Sequence, residues 1–203
     1  MRVAGLQPNV VLYNSAVNAC AKSGRAEEAV EWLSRMEAAG IKADDFTYNG
    51  VIHAFARAGQ PEGAARWLRR MQAAGLKPDV ISYASVIDAC ARQAWGEEAV
   101  EWLRAMESAH LKANIAALNG VVSAFARASL PEGCLAWLEE IRRRRLRPDV
   151  LSYSSAISAC GGCRPPRPEL AVALFRRLLG EGVRPDERLL RILRRLVGDH
   201  RLV

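Results

Sequence analysis

Apolar residues recur along the chain with the spacing of amphipathic helices. In the first stretch, a leading segment has apolar side chains at i, i+4 and i+7: Tyr13, Val17 and Cys20. A second segment has them at i, i+3, i+4 and i+7: Ala29, Trp32, Leu33 and Met36. Each set lies on one face of an α-helix. Residues 23–25 separate the segments, and Gly40 follows where a helix C-terminal turn favours positive φ. The pattern therefore predicts a helical hairpin.

This two-segment pattern recurs every 35 residues. The step is clearest in four tryptophans: Trp32, Trp67, Trp102 and Trp137. A position of the first segment keeps the same register: Tyr13, Tyr48, Tyr83, Leu118 and Tyr153. So does a position of the second segment: Met36, Met71, Met106 and Ile141. Self-similarity at a fixed period predicts a tandem array of one structural unit.

Five repeats follow from this register, with boundaries at 10–44, 45–79, 80–114, 115–149 and 150–186. The fifth is two residues longer because residues 161–166 enlarge its central turn. Residues 1–9 look like the tail of a preceding repeat, and 187–203 are expected to contain a closing helix with arginines beside an apolar stripe. A single hairpin cannot bury both of its apolar faces, so we predict an all-α protein whose hairpins stack into an α-solenoid.

The composition is that of an ordered protein with a basic surface. Half of the residues are hydrophobic, a quarter are charged, and the formal net charge is +7, which favours a polyanionic partner. The longest uncharged stretch, residues 3–21, is interrupted by a proline and several asparagines, so we predict no membrane span. The first five residues resemble neither an apolar leader nor a transit peptide, and we expect no targeting segment in this chain.

The repeats resemble the pentatricopeptide repeat family over residues 10–186. Units of 35 residues open with Val-x-x-Tyr-Asn, as at 10–14, and close with Gly-Ile/Leu-Lys-Pro-Asp, as at 75–79. The resemblance implies a right-handed α-solenoid that binds single-stranded RNA and reads about one base per repeat. Residence in a mitochondrion or plastid, and a role in RNA processing, stability, editing or translation, are implied by the family alone. The chain is expected to be a fragment of a longer array.

The resemblance also implies that two side chains of each repeat select the base, namely the residue after the tyrosine and the last residue of the repeat. In this sequence the pairs are Asn14 with Asp44, Asn49 with Asp79, Ala84 with Asn114, Asn119 with Asp149, and Ser154 with Asp186. By the family's preferences, Asn with Asp suits uridine and Ser with Asp suits guanosine. Ala84 departs from the pattern because it offers no hydrogen bond. The predicted RNA is therefore 5′-U-U-x-U-G-3′.

Two further sets of residues are implied to contact RNA. An apolar position near the start of each repeat would clamp bases between successive repeats: Val11, Phe46, Ile81, Ala116 and Leu151. Ala116 is the weakest clamp. A basic position near the end of each first helix would meet phosphate: Lys22, Arg57, Arg92 and Arg127. The helical period supports this face, because Asn14, Asn18 and Lys22 lie on the side away from Tyr13.

Structural roles compete with each of these assignments. Asp or Asn directly before a helix is the expected N-cap whether or not RNA binds. Cations near helix C-termini interact favourably with the macrodipole, so the basic positions could be a solvated row. The repeated tryptophans are interpreted as core residues. The arginine run 142–145 and the C-terminal arginines are expected on or beyond second helices, where they add solubility and general attraction to RNA.

The sequence contains no recognisable catalytic or cofactor chemistry. Cys160 and Cys163 have the spacing of a zinc or redox pair, but no second pair of ligands accompanies them and the three histidines are scattered. An odd number of cysteines, five, favours free structural thiols in a reducing compartment. No phosphate-cradling loop or nucleophile–base pair is visible. We therefore predict that the chain is not an enzyme and needs no metal or cofactor.

The competing function is a protein-binding scaffold similar to tetratricopeptide arrays. Those arrays have a 34-residue period and a different Trp/Gly/Tyr/Pro pattern, and they do not require Asn and Asp beside a row of cations. Single-stranded RNA is therefore the predicted partner, and no small-molecule substrate is predicted. We expect a monomer.

Overall fold

The computed structural model describes residues 9–198, and every regular element in that range is an α-helix. The all-α prediction is confirmed for this part of the chain. The predicted tail of a preceding repeat lies outside the described residues except for Asn9, as does the end of the closing segment, 199–203. The chain divides into two compact units, Met1–Ala89 and Cys90–Val203, which we call the N-terminal and C-terminal units.

The N-terminal unit contains two complete helical hairpins and the start of a third. Its helices are α1 (Val10–Ser23), α2 (Ala26–Ala38), α3 (Asp45–Arg57), α4 (Pro61–Ala73) and the first part of α5 (Val80–Arg92). α1 packs against α2 within its hairpin and against α3 of the next. Residues of the predicted apolar faces, among them Val17, Leu33 and Met36, are buried in this contact. Burial of both helix faces requires the neighbouring hairpin, which explains the stacking.

The C-terminal unit repeats the arrangement. It contains the end of α5, α6 (Gly96–Ser108), α7 (Ile115–Arg127), α8 (Pro131–Arg143), α9 (Val150–Gly162), α10 (Pro168–Gly180) and α11 (Glu187–Val197). α7 packs against α8 and α9, and α9 packs against α10 and α11. α11 contacts α9 and α10 in the way that α3 contacts α1 and α2. α11 therefore takes the place of a first helix, and its arginines lie beyond the second helix α10.

Close approach within a hairpin depends on glycine. A Cβ atom built on Gly63 of α4 would lie 2.2 Å from Cδ1 of Phe55 in α3, and one on Gly133 of α8 would lie 2.4 Å from Cδ1 of Phe125 in α7. Such contacts are far shorter than a van der Waals separation. The two phenylalanines pack directly on helix backbone, and this brings the helices of each hairpin together.

The turn after each second helix has the same backbone conformation with different residues. Gly40 has φ +72°, which confirms the predicted left-handed turn. The equivalent residues are Gly75, His110, Arg145 and Gly182, all with positive φ. His110 and Arg145 have φ values of 59° and 58° although a Cβ atom makes this region costly. Each of these residues lies four positions before the residue that caps the next first helix.

Candidate nucleic-acid interface

The last residue of each predicted repeat is the N-cap of the following first helix. The Asp44 carboxylate accepts from Thr47 N–H at 2.9 Å, Asn114 from Ala117 N–H at 2.9 Å, and Asp186 from Leu189 N–H at 2.7 Å. The same bond forms from Ser82 to Asp79 and from Ser152 to Asp149, each at 2.9 Å. The capping interpretation therefore holds for all of these residues. Capping fixes each side chain at the start of a first helix.

Three of the capping aspartates have a second contact, because each also binds the asparagine thirty residues earlier. Asn14 Nδ2 donates to both carboxylate oxygens of Asp44, at 3.2 and 3.3 Å. Asn119 Nδ2 donates to both oxygens of Asp149 at 3.0 Å. Asn49 Nδ2 lies 3.5 Å from Asp79 Oδ1. The structure thus brings together three of the predicted selector pairs at the beginnings of α3, α5 and α9.

A hydroxyl residue that the sequence analysis did not single out completes each of these pairs. The hydroxyls of Thr47, Ser82 and Ser152 donate to the amide oxygens of Asn14, Asn49 and Asn119 at 2.6, 2.6 and 2.5 Å. All three hydroxyl residues are buried. Their spacing of 35 and 70 residues, directly before a repeated tyrosine, was visible in the sequence. We call each Asn, Asp and Ser/Thr set a triad.

The two remaining selector pairs lack a triad. Ala84 has no polar side-chain atom, and Asn114 caps α7. The Ser154 hydroxyl donates to the carbonyl of Leu151 at 3.1 Å within its own helix, and the side chain is buried. Asp186 caps α11 and is exposed. The structure therefore does not join Ser154 to Asp186 by a hydrogen bond.

Hydrogen bonding keeps the first aspartate ionised. Burial raises the pKa of Asp44, but the carboxylate lies within hydrogen-bond distance of the Thr47 hydroxyl and accepts from the Thr47 backbone N–H and the Asn14 amide. These bonds outweigh desolvation and lower its pKa below the ordinary value. At neutral pH the carboxylate therefore acts only as an acceptor, so it binds the NH2 end of the asparagine amide.

The predicted clamp residues are apolar side chains exposed to solvent. Exposed fractions are 70% for Val11, 56% for Phe46, 64% for Ile81 and 44% for Leu151. Ala116 is also exposed. Each precedes a selector position by three residues, which places it on the same side of the first helix. A large apolar side chain is normally buried, so repeated exposure at one position is consistent with a contact surface.

The predicted phosphate residues all lie at the ends of first helices and are exposed. Lys22 is in the last turn of α1, and Arg57, Arg92 and Arg127 end α3, α5 and α7. The Arg57 guanidinium also donates to the backbone carbonyl of Lys22 at 3.2 Å. Arg57 therefore stabilises the C-terminus of α1, which is the structural role expected of a cation near a helix C-terminus.

Two arginines at the C-terminal end of α8, Arg142 and the C-cap residue Arg144, form ion pairs with glutamates. Arg144 Nε binds Glu140 at 2.8 Å and its Nη1 binds Glu107. Arg142 binds Glu139 at 3.0 Å and also binds Glu181. These pairs link α8 to α6 and to the end of α10. Arg142 and Arg144 therefore support packing in the C-terminal unit, a role that the sequence analysis did not assign to them.

The cysteines have the properties of structural thiols. Burial raises the pKa of Cys134 to about 12 and that of Cys160 to about 11. Cys163 Sγ donates to the carbonyls of Cys160 and Pro165, each at 3.3 Å. Within residues 9–198 no group of three or more His, Cys, Asp or Glu residues could hold a metal ion. In the same range no helix is long and apolar enough to cross a membrane.

The repeats match a known protein family and several solved structures. The sequence profile of a family described as pentatricopeptide repeat-containing protein matches residues 11–141. The fold is similar to the crystal structure of the pentatricopeptide repeat protein PPR10 from maize, with 25% identity and a TM-score of 0.71. That likeness covers 95% of this chain and 27% of PPR10, so this chain spans about a quarter of its length. No curated protein matches the chain.

Two further solved structures share the fold. The complex of PPR10 with an 18-nt psaJ RNA element matches with 18% identity and a TM-score of 0.61, over 95% of this chain and 33% of PPR10. The PPR domain of Arabidopsis thaliana protein-only RNase P 1, solved with tRNA, matches with 12% identity and a TM-score of 0.69, over 92% of this chain and 97% of that domain. Together with the helices described above, these likenesses confirm the predicted fold class, an α-solenoid of stacked hairpins.

Proposed function

The chain belongs to the pentatricopeptide repeat-containing protein family, and from this membership we propose that it binds single-stranded RNA and reads about one base per repeat. The observation that carries the proposal is the recurring triad. A hydrogen-bonded Asn–Asp pair, Asn14 with Asp44 for example, lies one helical turn from an exposed apolar side chain such as Val11. Packing of the hairpins alone does not require that combination. Its repetition along the chain supports a periodic ligand such as a nucleic-acid strand.

In this proposal the triads, the exposed apolar residues and the basic residues each contact a different part of the RNA. The Asn and Asp side chains hydrogen-bond to the edge of a base, as amides and carboxylates do in direct readout. The exposed apolar residues pack on the base faces, where a stacked base is worth about 1–3 kcal/mol. Lys22, Arg57, Arg92 and Arg127 neutralise phosphates. The solved complexes of PPR10 with RNA and of the RNase P domain with tRNA show that this fold occurs in RNA-bound proteins.

We propose the target 5′-U-U-x-U-G-3′ by the family's preferences. Asn14, Asn49 and Asn119 read uridine, and Ser154 with Asp186 reads guanosine. Asn119 is only 3% exposed, so the fourth base has the least access to its amide. The proposal assigns no reaction to the chain, since proteins of this family are generally non-catalytic. Residence in a mitochondrion or plastid belongs to the proposal because family members are typically organellar.

The test is a fluorescence-anisotropy titration of the full chain with RNAs that contain UUAUG, UUCUG or a scrambled sequence. We expect tighter binding of both matched RNAs. Asn49→Ser should move the preference at the second base from U to G, so that UGAUG becomes the better ligand. Arg66→Ser on the second helix α4, exposed in the structure, is the matched control and should leave the preference unchanged. Equal affinity for matched and scrambled RNA would refute base reading.

Phosphate binding predicts a salt dependence. Four or five contacts give a slope of log affinity against log salt of about −3 to −3.5, at roughly −0.7 per contact. Arg127→Ala should reduce the magnitude of this slope by about 0.7 without a change in base preference. A slope that is unchanged in this variant would remove Arg127 from the phosphate contacts.

A further inference from the structure

The buried hydroxyl of each triad makes a contact that helix capping does not require. Thr47, Ser82 and Ser152 occupy the third position of α3, α5 and α9, and each is at most 1% exposed. Each hydroxyl accepts from the N–H of the capping aspartate, at 3.3, 3.1 and 3.1 Å. Each also donates to the asparagine amide oxygen of the preceding repeat at 2.6 Å or less. The second bond joins one repeat to the next.

The residue at this third position changes with the first of the two base-selecting residues of the preceding repeat. We call this first residue the selector. Where the selector is an asparagine, the next first helix has a hydroxyl: Asn14 with Thr47, Asn49 with Ser82, and Asn119 with Ser152. Where the selector has no amide, the hydroxyl is missing: Ala84 with Ala117, and Ser154 with Leu189. Capping does not explain this difference. Asn114 and Asp186 still cap α7 and α11, at 2.9 and 2.7 Å, without a hydroxyl at the third position.

The triad permits one orientation of the amide. An ionised carboxylate only accepts hydrogen bonds, so it requires the NH2 end of Asn49 to face Asp79. The Ser82 hydroxyl accepts from the backbone N–H of Asp79, and its single proton has two acceptors in reach, the Asn49 amide oxygen at 2.6 Å and Asp79 Oδ1 at 2.9 Å. The shorter contact gives the proton to the amide oxygen. A flipped amide would place its oxygen against the Asp79 carboxylate, acceptor against acceptor, and would lose the hydrogen bond that its oxygen accepts from the Ser82 hydroxyl. The hydroxyl and the carboxylate therefore hold the amide from opposite ends.

Amide orientation matters for the choice between the two pyrimidines. Uracil offers a carbonyl acceptor at C4, where cytosine offers an amino donor. An amide that turns freely can satisfy either edge, whereas an amide held in one orientation cannot. We propose that Thr47, Ser82 and Ser152 are specificity-determining positioning residues that hold the asparagine of the preceding repeat and so favour uridine over cytidine. This inference rests on the proposed RNA-binding function.

The experiment measures the ratio of affinities for UUAUG and UCAUG, which differ at the base assigned to Asn49 and Ser82. Ser82→Ala should lower the U-over-C ratio by roughly three- to tenfold, the effect of one hydrogen bond, while affinity for UUAUG falls less. Ser82→Thr keeps the hydroxyl and should retain the wild-type ratio, since Thr47 fills the same position in the preceding triad. Ala117→Ser, at a junction where Ala84 stands in place of the first selector asparagine, should leave the ratio unchanged.

A readout without RNA separates this inference from the proposed function. In the NMR spectrum of the free protein, the Asn49 side-chain NH2 protons should exchange slowly with water in the wild type and faster in Ser82→Ala. If the wild type does not bind UUAUG better than a scrambled RNA, the proposed function fails and the inference fails with it. If the wild type discriminates and Ser82→Ala keeps the full ratio, only the inference fails. An equal loss of affinity for UUAUG and UCAUG in Ser82→Ala would also refute the inference, because that result indicates that the hydroxyl only stabilises the fold.

Discussion

The N-terminal and C-terminal units build the same hairpin with different residues at the turns. In the N-terminal unit the positive-φ positions are Gly24, Gly40, Gly59 and Gly75. In the C-terminal unit four equivalent positions are Ala94, His110, Ser129 and Arg145, with φ values between 58° and 61°, whereas the turn after α10 keeps a glycine, Gly182. A residue with a Cβ atom is strained in this conformation by about 1–3 kcal/mol. The C-terminal unit also contains the ion pairs of Arg142 with Glu181 and of Arg144 with Glu107, which link different helical hairpins.

The Asn–Asp pairs at the starts of α3 and α9 do not follow this difference. The Asn–Asp distances are 3.2 Å for Asn14 with Asp44 and 3.0 Å for Asn119 with Asp149. Gly40 and Arg145 lie four residues before these aspartates and share the left-handed conformation. The turn geometry therefore places the capping aspartate, and packing elsewhere can hold that geometry when glycine is absent. Turn residues are free to vary as long as the backbone conformation is kept.

Replacing a glycine in the N-terminal unit gives the largest expected effect. Gly40→Val should lower the free energy of unfolding of that unit by about 1–2 kcal/mol, because a β-branched residue is disfavoured at φ +72°. No atom lies within 4 Å of the added Cβ, so the cost is conformational. Urea denaturation followed by circular dichroism measures the change, with Ala38→Val at the last residue of α2 as a control for β-branching. Equal midpoints for Gly40→Val and wild type would contradict the strain argument.

The reverse change in the C-terminal unit should stabilise it. His110→Gly relieves strain at φ 59° but adds freedom to the unfolded chain, so we expect a net gain of about 0.5–1 kcal/mol. The same denaturation experiment reports the gain as a higher midpoint. Ala58→Gly, at a φ of −72°, is the matched control and should be destabilising. A loss of stability in His110→Gly would show that the turn is not strained.

Breaking the ion pairs should reduce the stability of the C-terminal unit by a smaller amount. Glu181→Gln removes the charge that binds Arg142, and we expect a loss of about 0.5–1 kcal/mol because both side chains are partly exposed. The loss should shrink at high salt, where screening weakens the pair in the wild type. Denaturation at low and high salt measures it. Glu62→Gln, exposed on α4, serves as the control for a change of net charge.

Acid should weaken both units slightly and by the same mechanism. Hydrogen bonds lower the pKa of Asp44 despite its burial, and the hydrogen bond from Arg177 lowers the pKa of Glu139. A carboxyl with a depressed pKa contributes stability above its unfolded pKa and loses it as pH falls through the folded value. Thermal unfolding midpoints should therefore fall below pH 5. Asp44→Asn should reduce this fall, and an unchanged pH profile would exclude Asp44 as a contributor.

Local sequence determined the helices and their order. The apolar spacing of Tyr13, Val17 and Cys20 recurs every 35 residues, and helical periodicity is a property of the chain that needs no distant contact. Gly40 marked its turn because only glycine adopts positive φ without cost. His110 and Arg145 carried no such signal. Their conformation is imposed by the packing of the helices on either side.

Tertiary structure decided which side chains meet across repeats. Residues thirty positions apart, such as Asn14 and Asp44, contact each other only after the hairpins stack. The sequence alone paired them through a family resemblance, and it did not indicate that Thr47 would donate to the same amide. Nor did it indicate that α11 takes the place of a first helix, or that Ser154 bonds within its own helix. The physical reason is range: helix formation depends on neighbours within one or two turns, whereas a hydrogen bond between side chains requires a register that only packing establishes.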